Sequence, residues 1–169
     1  MKYTSLTATF PYAWEDFIKA FWKMFPNPYN PQVVVEDVLE RNIQDGKLYT
    51  KRILVKSFAN FPKWVETLLR GATRTCVIEE SIVDLENRTF VTYVRNITQT
   101  AVVVEERCTY KPSTTSNSET ECDRQAWATS GLWGVAAALE SVAMREFVKD
   151  TELTNKGVLL TLQTLHGRN

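Results

Sequence analysis

Residues 3–10 alternate in character and are rich in β-branched and aromatic side chains, which predicts a strand that Pro11 ends. The period then changes. Trp14, Phe17, Ile18, Phe21 and Trp22 recur at helical spacing, predicting a helix that runs to about Met24. Pro26-Asn27-Pro28 and Pro31 stop that helix and force an extended loop. Residues 32–43 and 47–57 read as two strands joined at Asp45-Gly46, a strong hairpin turn signal. A short helix follows, with Pro62 in its first turn and Val65, Leu68 and Leu69 behind it, and Gly71 lies past its end. Four more strands are predicted at 73–83, 88–98, 101–111 and 119–130. Residues 84–87 form the first turn among them, and 112–118 form a polar loop of Ser, Thr and Asn. Beyond Gly131 and Gly134 one long helix runs to about Leu165. Its stripe is Leu132, Val135, Ala136, Leu139, Val142, Ala143 and Phe147, resuming at Val158, Leu159 and Leu162.

The order is therefore β-α-β-β-(short α)-β-β-β-β-α, without repeats or linkers. Consecutive strands with short turns favour an antiparallel meander, and the long helix must bury its stripe on that sheet. The expectation is a single α+β domain spanning 1–169, a strongly curved seven-stranded antiparallel sheet wrapped against a long C-terminal helix, able to enclose a pocket.

Composition narrows the function. At 169 residues the chain is long enough for a sizeable core, and 44% hydrophobic with 24% charged residues is ordinary for a globular domain. No run approaches the ~18 apolar residues of a membrane span. The first residues lead into no apolar segment of the kind a cleaved secretory signal needs, so Asn87-Arg88-Thr89 and Asn96-Ile97-Thr98 are read as chance glycosylation matches. The one histidine, His166, rules out a multi-histidine metal site. Cys76, Cys108 and Cys122 are odd in number and lack CxxC spacing, so they read as small buried hydrophobes rather than a disulfide or zinc framework. Glu105 and Glu106 are adjacent on a strand and point to opposite faces, so they form no catalytic carboxylate pair. No nucleophile–base constellation stands out, and the expectation is a protein that is not an enzyme. Trp14, Trp22, Trp127 and Trp133 read as core.

Charge is unevenly spread although it sums to zero. Residues 1–40 carry 3 basic and 5 acidic side chains, residues 41–74 carry 8 and 2, and residues 75–169 carry 9 and 13. The middle block, at +6, points either to a locally presented anionic partner or to a solvated face. Within it Arg52, Leu54 and Lys56 alternate and share one strand face, and that face is either the solvated or the inward one.

The run Phe21-Trp22-Lys23-Met24-Phe25-Pro26-Asn27-Pro28-Tyr29 resembles the aromatic-basic-Pro-Asn-Pro signature of the PRELI-like family, lipid-transfer proteins of the mitochondrial intermembrane space. Lys51-Arg52-Ile53-Leu54, Pro62-Lys63-Trp64, Glu80-Ser81-Ile82-Val83-Asp84, Val104-Glu105-Glu106 and Lys156-Gly157 extend the resemblance, in order, over nearly the whole chain. The resemblance implies the helix-grip fold of StAR-related and phosphatidylinositol-transfer domains, with an N-terminal helix and a short mobile lid. It implies a carrier, with a phospholipid as ligand and no other cofactor, that takes phosphatidic acid between the outer and inner mitochondrial membranes in support of cardiolipin synthesis. Phosphatidylserine is the nearest competing cargo, and a ligand-free interaction protein is the other reading. A peripheral anionic membrane surface and a small helical protein with twin cysteine motifs are the implied partners. Carried onto this chain, the resemblance turns Arg52 and Lys56 inward as headgroup ligands. Lys149 and Lys156 of the last helix lie near positions that are basic in the family and share a helical side with Glu152; they are either further headgroup ligands or an ion-paired face turned to solvent. Phe58, Phe61, Pro62, Lys63 and Trp64 become the lid and membrane contact. The chain departs from relatives at Met24, where Arg is common, at Gln32, where some have His, and at Glu146 and Leu153, where basic residues are expected. These departures bear on headgroup preference.

Overall fold

The computed structural model describes residues 1–57 and 61–167. The stretches of period two form seven strands: β1 (Lys2–Phe10), β2 (Val33–Gln44), β3 (Lys47–Ser57), β4 (Arg74–Asp84), β5 (Thr89–Asn96), β6 (Val103–Pro112) and β7 (Thr120–Thr129). The stretches of helical period form α1 (Trp14–Lys23), α2 (Lys63–Leu68) and α3 (Ala136–His166). All strands pair antiparallel in one sheet of order β1-β7-β6-β5-β4-β3-β2. Strands β2 to β7 are a meander. β1 returns beside β7, so the sheet stays open with β1 and β2 as its edges. This is the expected seven-stranded α+β architecture.

Alternation decides which face is covered. On β3, Thr50, Arg52 and Leu54 are buried while Lys51, Ile53 and Val55 between them are only half-buried. Helices α1 and α3 lie against the inner face in two apolar clusters. In one, Phe17 and Phe21 of α1 pack on Phe10, Phe90 and Tyr110 of the sheet and on Val158 and Leu162 of α3. The Trp14 indole N–H donates to the Tyr110 carbonyl at 3.0 Å. In the other, Leu139 and Val142 of α3 pack on Ala126 and Ala128 of β7, on Val65 of α2 and on Leu69 just past its end. The two alanines, fully buried, let the helix come close to the strand.

Two expectations are corrected. The long helix starts at Ala136, after Leu132 and Val135, because Gly134 with φ +81° turns the chain before the helical ladder begins. Trp133, read as core, is 99% exposed. The turn that directs Leu132 inward against the second cluster leaves its neighbour facing solvent. Trp14 is core as expected, while Trp22 and Trp127 are half-buried. Cys108 and Cys122 are buried free thiols 3.0 Å apart, and Cys76 is half-buried.

Candidate functional site

A cavity of about 480 Å³ opens between the first half of α3 and the inner face of the sheet. That volume falls within the range of small-molecule sites, roughly 300–1,000 Å³. Its walls are Val77, Val94 and Val104 from the sheet, Val102 from the loop before β6, Leu139, Val142 and Phe147 from α3, and Phe61, Val65 and Leu69 from the α2 segment. The lining strand residues fall in pairs two apart, Thr75 with Val77, Val94 with Asn96 and Val104 with Glu106, and the α3 residues follow the three-four spacing of a helical stripe. Val65 and Leu69 are buried while Lys63 and Trp64 on the other side of α2 are exposed. The six-residue helix therefore covers the cavity with one face and shows an aromatic-basic face to water. Phe58 lies outside the described residues.

The polar lining is gathered where β3 meets α3. The Lys56 ammonium donates to Asp150 Oδ2 at 3.1 Å, tying sheet to helix across the cavity, and Gln32 Nε2 donates to the other oxygen of Asp150. One turn back on α3, Lys149 Nζ lies 3.3 Å from Glu146 Oε1. Gln32, Lys56, Glu146, Lys149 and Asp150 all line the cavity, so two cations and two carboxylates share its polar side.

Glu106 enters the same cavity from β6. It accepts from Arg124 Nη1 at 2.7 Å, and Arg124 Nη2 donates to the Tyr110 hydroxyl at 3.3 Å. Burial pushes the Glu106 carboxyl above its ordinary value. Arg124 and Lys56 pull it down, and the charges of Glu79 and Asp150 push it further up. Burial likewise raises the Tyr110 hydroxyl well above its usual range.

Arg52 is turned inward but is not among the cavity-lining residues. Its guanidinium is 1% exposed and is already satisfied: Nε donates to Glu79 at 2.5 Å and Nη1 to Glu36 at 2.6 Å. It also faces the rings of Phe21 and Trp22, at 4.9 and 5.2 Å from their centroids. Burial lowers its pKa, but the two carboxylates more than offset that and hold it above the ordinary value. Lys156 is exposed on α3, beyond the cavity lining. Of the four basic residues the sequence singles out, Lys56 and Lys149 are brought together at the cavity and Arg52 and Lys156 are set apart. Met24 is core at 2% exposure, and Leu153 lines the cavity.

Asp150 and the Glu106–Arg124 pair are absent from the sequence reading. For Glu106 the signal exists: Val102, Val104 and Cys108 alternate on one face, and Glu106 fills the missing position. Arg124 lies opposite Cys108 in the β6–β7 register, a pairing that alternation within one strand does not reveal. Among the described residues no group of three His, Cys, Asp or Glu side chains is placed to hold a metal ion, and no helix is long and apolar enough to cross a membrane.

Comparison with known proteins matches residues 15–168 to the model of the PRELI-like family. PRELI domain-containing protein 1, mitochondrial, of Homo sapiens is 36% identical over 159 residues, covering 92% of this chain and 72% of that protein. Protein UPS1, mitochondrial, of Saccharomyces cerevisiae is 34% identical over 161 residues, covering 94% and 91%. Among solved structures, a START superfamily protein from Mycobacterium smegmatis superposes with a TM-score of 0.60 at 15% identity, over 96% of this chain and 98% of that one, a likeness of fold alone.

Proposed function

The chain belongs to the PRELI-like family, and from that membership together with its cavity we propose that it is a mitochondrial phospholipid carrier, working without catalysis, whose favoured cargo is phosphatidic acid. The observation that carries the reading is a 480 Å³ cavity with apolar walls and lysines at one side. A phospholipid has the same division. Each methylene kept from water is worth about 0.8 kcal/mol, so one 16-carbon tail left wet costs on the order of 13 kcal/mol. Val77, Val94, Val104, Val142 and Phe147 supply the surface that removes that cost. The phosphate needs charge-assisted donors, and Lys56 and Lys149 are the basic side chains that line the cavity. Arg52 acts one step away, fixing Glu79 and Glu36 so that the interior carries paired charge.

Extraction needs an opening. The α2 segment closes the cavity with Phe61, Val65 and Leu69, and it holds Pro62 before its first turn and Lys63 and Trp64 outward. Swinging this short element aside at a membrane admits the tails. Trp suits the headgroup region, and a lysine is attracted to an anionic leaflet. The place of action is the intermembrane space, and the route runs between outer and inner membranes in support of cardiolipin synthesis. A small helical partner with twin cysteine motifs keeps the carrier in its water-borne form.

Asp150 and Glu146 favour a second cargo. A headgroup with an ammonium, such as phosphatidylserine, meets a carboxylate beside each lysine, whereas phosphatidic acid must compete with those carboxylates. Native mass spectrometry of the purified chain, with vesicle-to-vesicle transfer of each lipid measured separately, decides the matter. A co-purified phospholipid and protein-dependent transfer are expected. An empty protein that moves neither lipid would sink the carrier reading.

A further inference from the structure

Trp133 is the most exposed large apolar side chain among the described residues, yet the turn that bears it is firmly built. Ser130 Oγ donates to the Ala101 carbonyl at 2.7 Å, the Leu132 N–H donates to Ser130 Oγ at 3.3 Å, and the Val135 N–H reaches the Leu132 carbonyl at 3.4 Å. Gly134 takes φ +81°, a conformation other residues rarely adopt. Leu132 is anchored in the apolar cluster of Phe61, Val65, Ala101 and Val102. The anchoring that partly buries Leu132 holds Trp133 outward. An indole offers 150–250 Å² of largely apolar surface, so leaving it fully in water is costly unless something covers it.

What surrounds Trp133 identifies the cover. Strands β3, β5 and β7 end, and β4 and β6 begin, at the same end of the sheet, which therefore carries the α2 segment, the 97–102 loop and the 130–135 turn. Ile97 is 50% exposed there and Trp64 41%. The 97–102 and 130–135 stretches contain no charged residue, and the α2 segment with the start of β4 brings Lys63, Arg70 and Arg74 against Glu66. This end is apolar with a basic excess. The loops at the opposite end carry Asp45, Glu86 and Glu119 against Arg88. Exposed aromatics beside unbalanced cations, on uncharged loops, are the chemistry of an interface with anionic lipid. The cavity wall is built from the same segments, through Phe61, Val65, Gln99 and Val102.

We propose that this end of the sheet docks on the bilayer and that Trp133 inserts at headgroup level as a second anchor, independent of α2. Two anchors on separate segments fix the orientation: Trp133 stays in the membrane while α2 swings, so the cavity remains facing the lipid as it opens. Docking itself needs only the surface; its purpose rests on the carrier reading.

The test uses the full chain and its Trp133→Ala and Trp133→Phe variants with phosphatidylcholine vesicles containing phosphatidic acid as a minority component. Flotation should fall about tenfold or more for Trp133→Ala and much less for Trp133→Phe, with melting temperatures unchanged because the side chain packs on nothing. Unchanged flotation of Trp133→Ala overturns the proposal. If that variant floats normally but no longer binds the small twin-cysteine protein, Trp133 belongs to a protein interface and the proposal is equally overturned. Native mass spectrometry of the wild-type protein separates the two readings: an empty protein whose flotation still depends on Trp133 refutes the carrier and leaves the docking surface standing.

Discussion

A Cβ added to Gly157 would lie 2.5 Å from Oδ1 of Asn30 and 2.7 Å from Nδ2 of Asn27, so the last helix has no side chain where the loop after α1 crosses it. The asparagines are not free to give way. Asn27 Nδ2 donates to the Met24 carbonyl at 2.8 Å and to Asn30 Oδ1 at 3.0 Å, and Asn27 Oδ1 accepts from the Tyr29 and Asn30 N–H groups. Asn30 Nδ2 donates onward to Thr154 Oγ1 on α3 at 3.2 Å. The Pro-Asn-Pro run and the Lys-Gly pair, with Asn27 and Gly157 130 positions apart, are two halves of one contact.

Gly157→Ala should therefore destabilise the fold although alanine is the better helix former. The helical gain is about 1 kcal/mol, while forcing a methyl into a bonded cluster costs roughly 1–3 kcal/mol in strain plus the bonds that break, each about 1 kcal/mol. A melting temperature lower by roughly 4–8 °C is expected in thermal unfolding. An unchanged or higher melting point would show that the asparagines relax without loss.

The elements were legible in the sequence because their periods are clean: Asp45-Gly46 and the polar 112–118 stretch mark turns that the structure contains, and Trp14, Phe17 and Phe21 form the expected stripe. Trp133 was not legible. Periodicity treats every large apolar side chain as core, and the positive φ of Gly134 that breaks the helical phase has no periodic signature. At the cavity, strand alternation placed Arg52 and Lys56 on one face but did not say which face is covered; the inward orientation came from the family resemblance, and both side chains do point inward. Alternation carried no information on Glu79, which lies opposite Arg52 on β4, or on Glu36, which reaches it diagonally from β2; both carboxylates bond the guanidinium. Asp150 escaped for a related reason: its partner Lys56 is 94 residues away, on another element.

That distinction predicts different phenotypes for two neighbouring inward cations. Arg52→Ala leaves Glu79 and Glu36 facing each other without a counter-ion, and breaking such a pair costs about 3–5 kcal/mol. Arg52→Lys should rescue only in part, since an ammonium cannot bond both carboxylates in the guanidinium's fork geometry. Denaturant midpoints should drop for both. A normal midpoint for Arg52→Ala, with transfer lost, would return Arg52 to the headgroup.

Lys56 and Asp150 are half-buried partners, so their loss should register in cargo rather than in stability. Lys56→Gln is expected to cut phosphatidic acid transfer about tenfold, the worth of one charge-assisted bond to a partly solvated phosphate, with little change in melting. Asp150→Asn frees the lysine. It should raise retention of phosphatidic acid severalfold and lower that of lipids with an ammonium headgroup. Equal effects of Asp150→Asn on both lipid classes, in competition transfer assays, would remove Asp150 from headgroup selection.

Glu106 adds a dependence on pH. Its carboxyl is held above the ordinary value first by burial and then by the charges of Glu79 on β4 and Asp150 on α3, against Arg124 on β7 and Lys56 on β3. The folded protein thus holds this proton more tightly than the unfolded chain. The stability it contributes is present at pH below the ordinary glutamate value and is lost as pH rises through the raised one. Cargo should follow the same direction, because the carboxylate formed on that rise places a negative charge in the cavity that receives the phosphate. Retention of phosphatidic acid is therefore expected to fall as pH increases across that window, and Glu106→Gln, which cannot ionise, should flatten the slope while the melting temperature loses its matching decline. Measured by lipid retention and thermal unfolding over the same pH series, a slope that survives intact in Glu106→Gln would show that the pH dependence does not arise at Glu106.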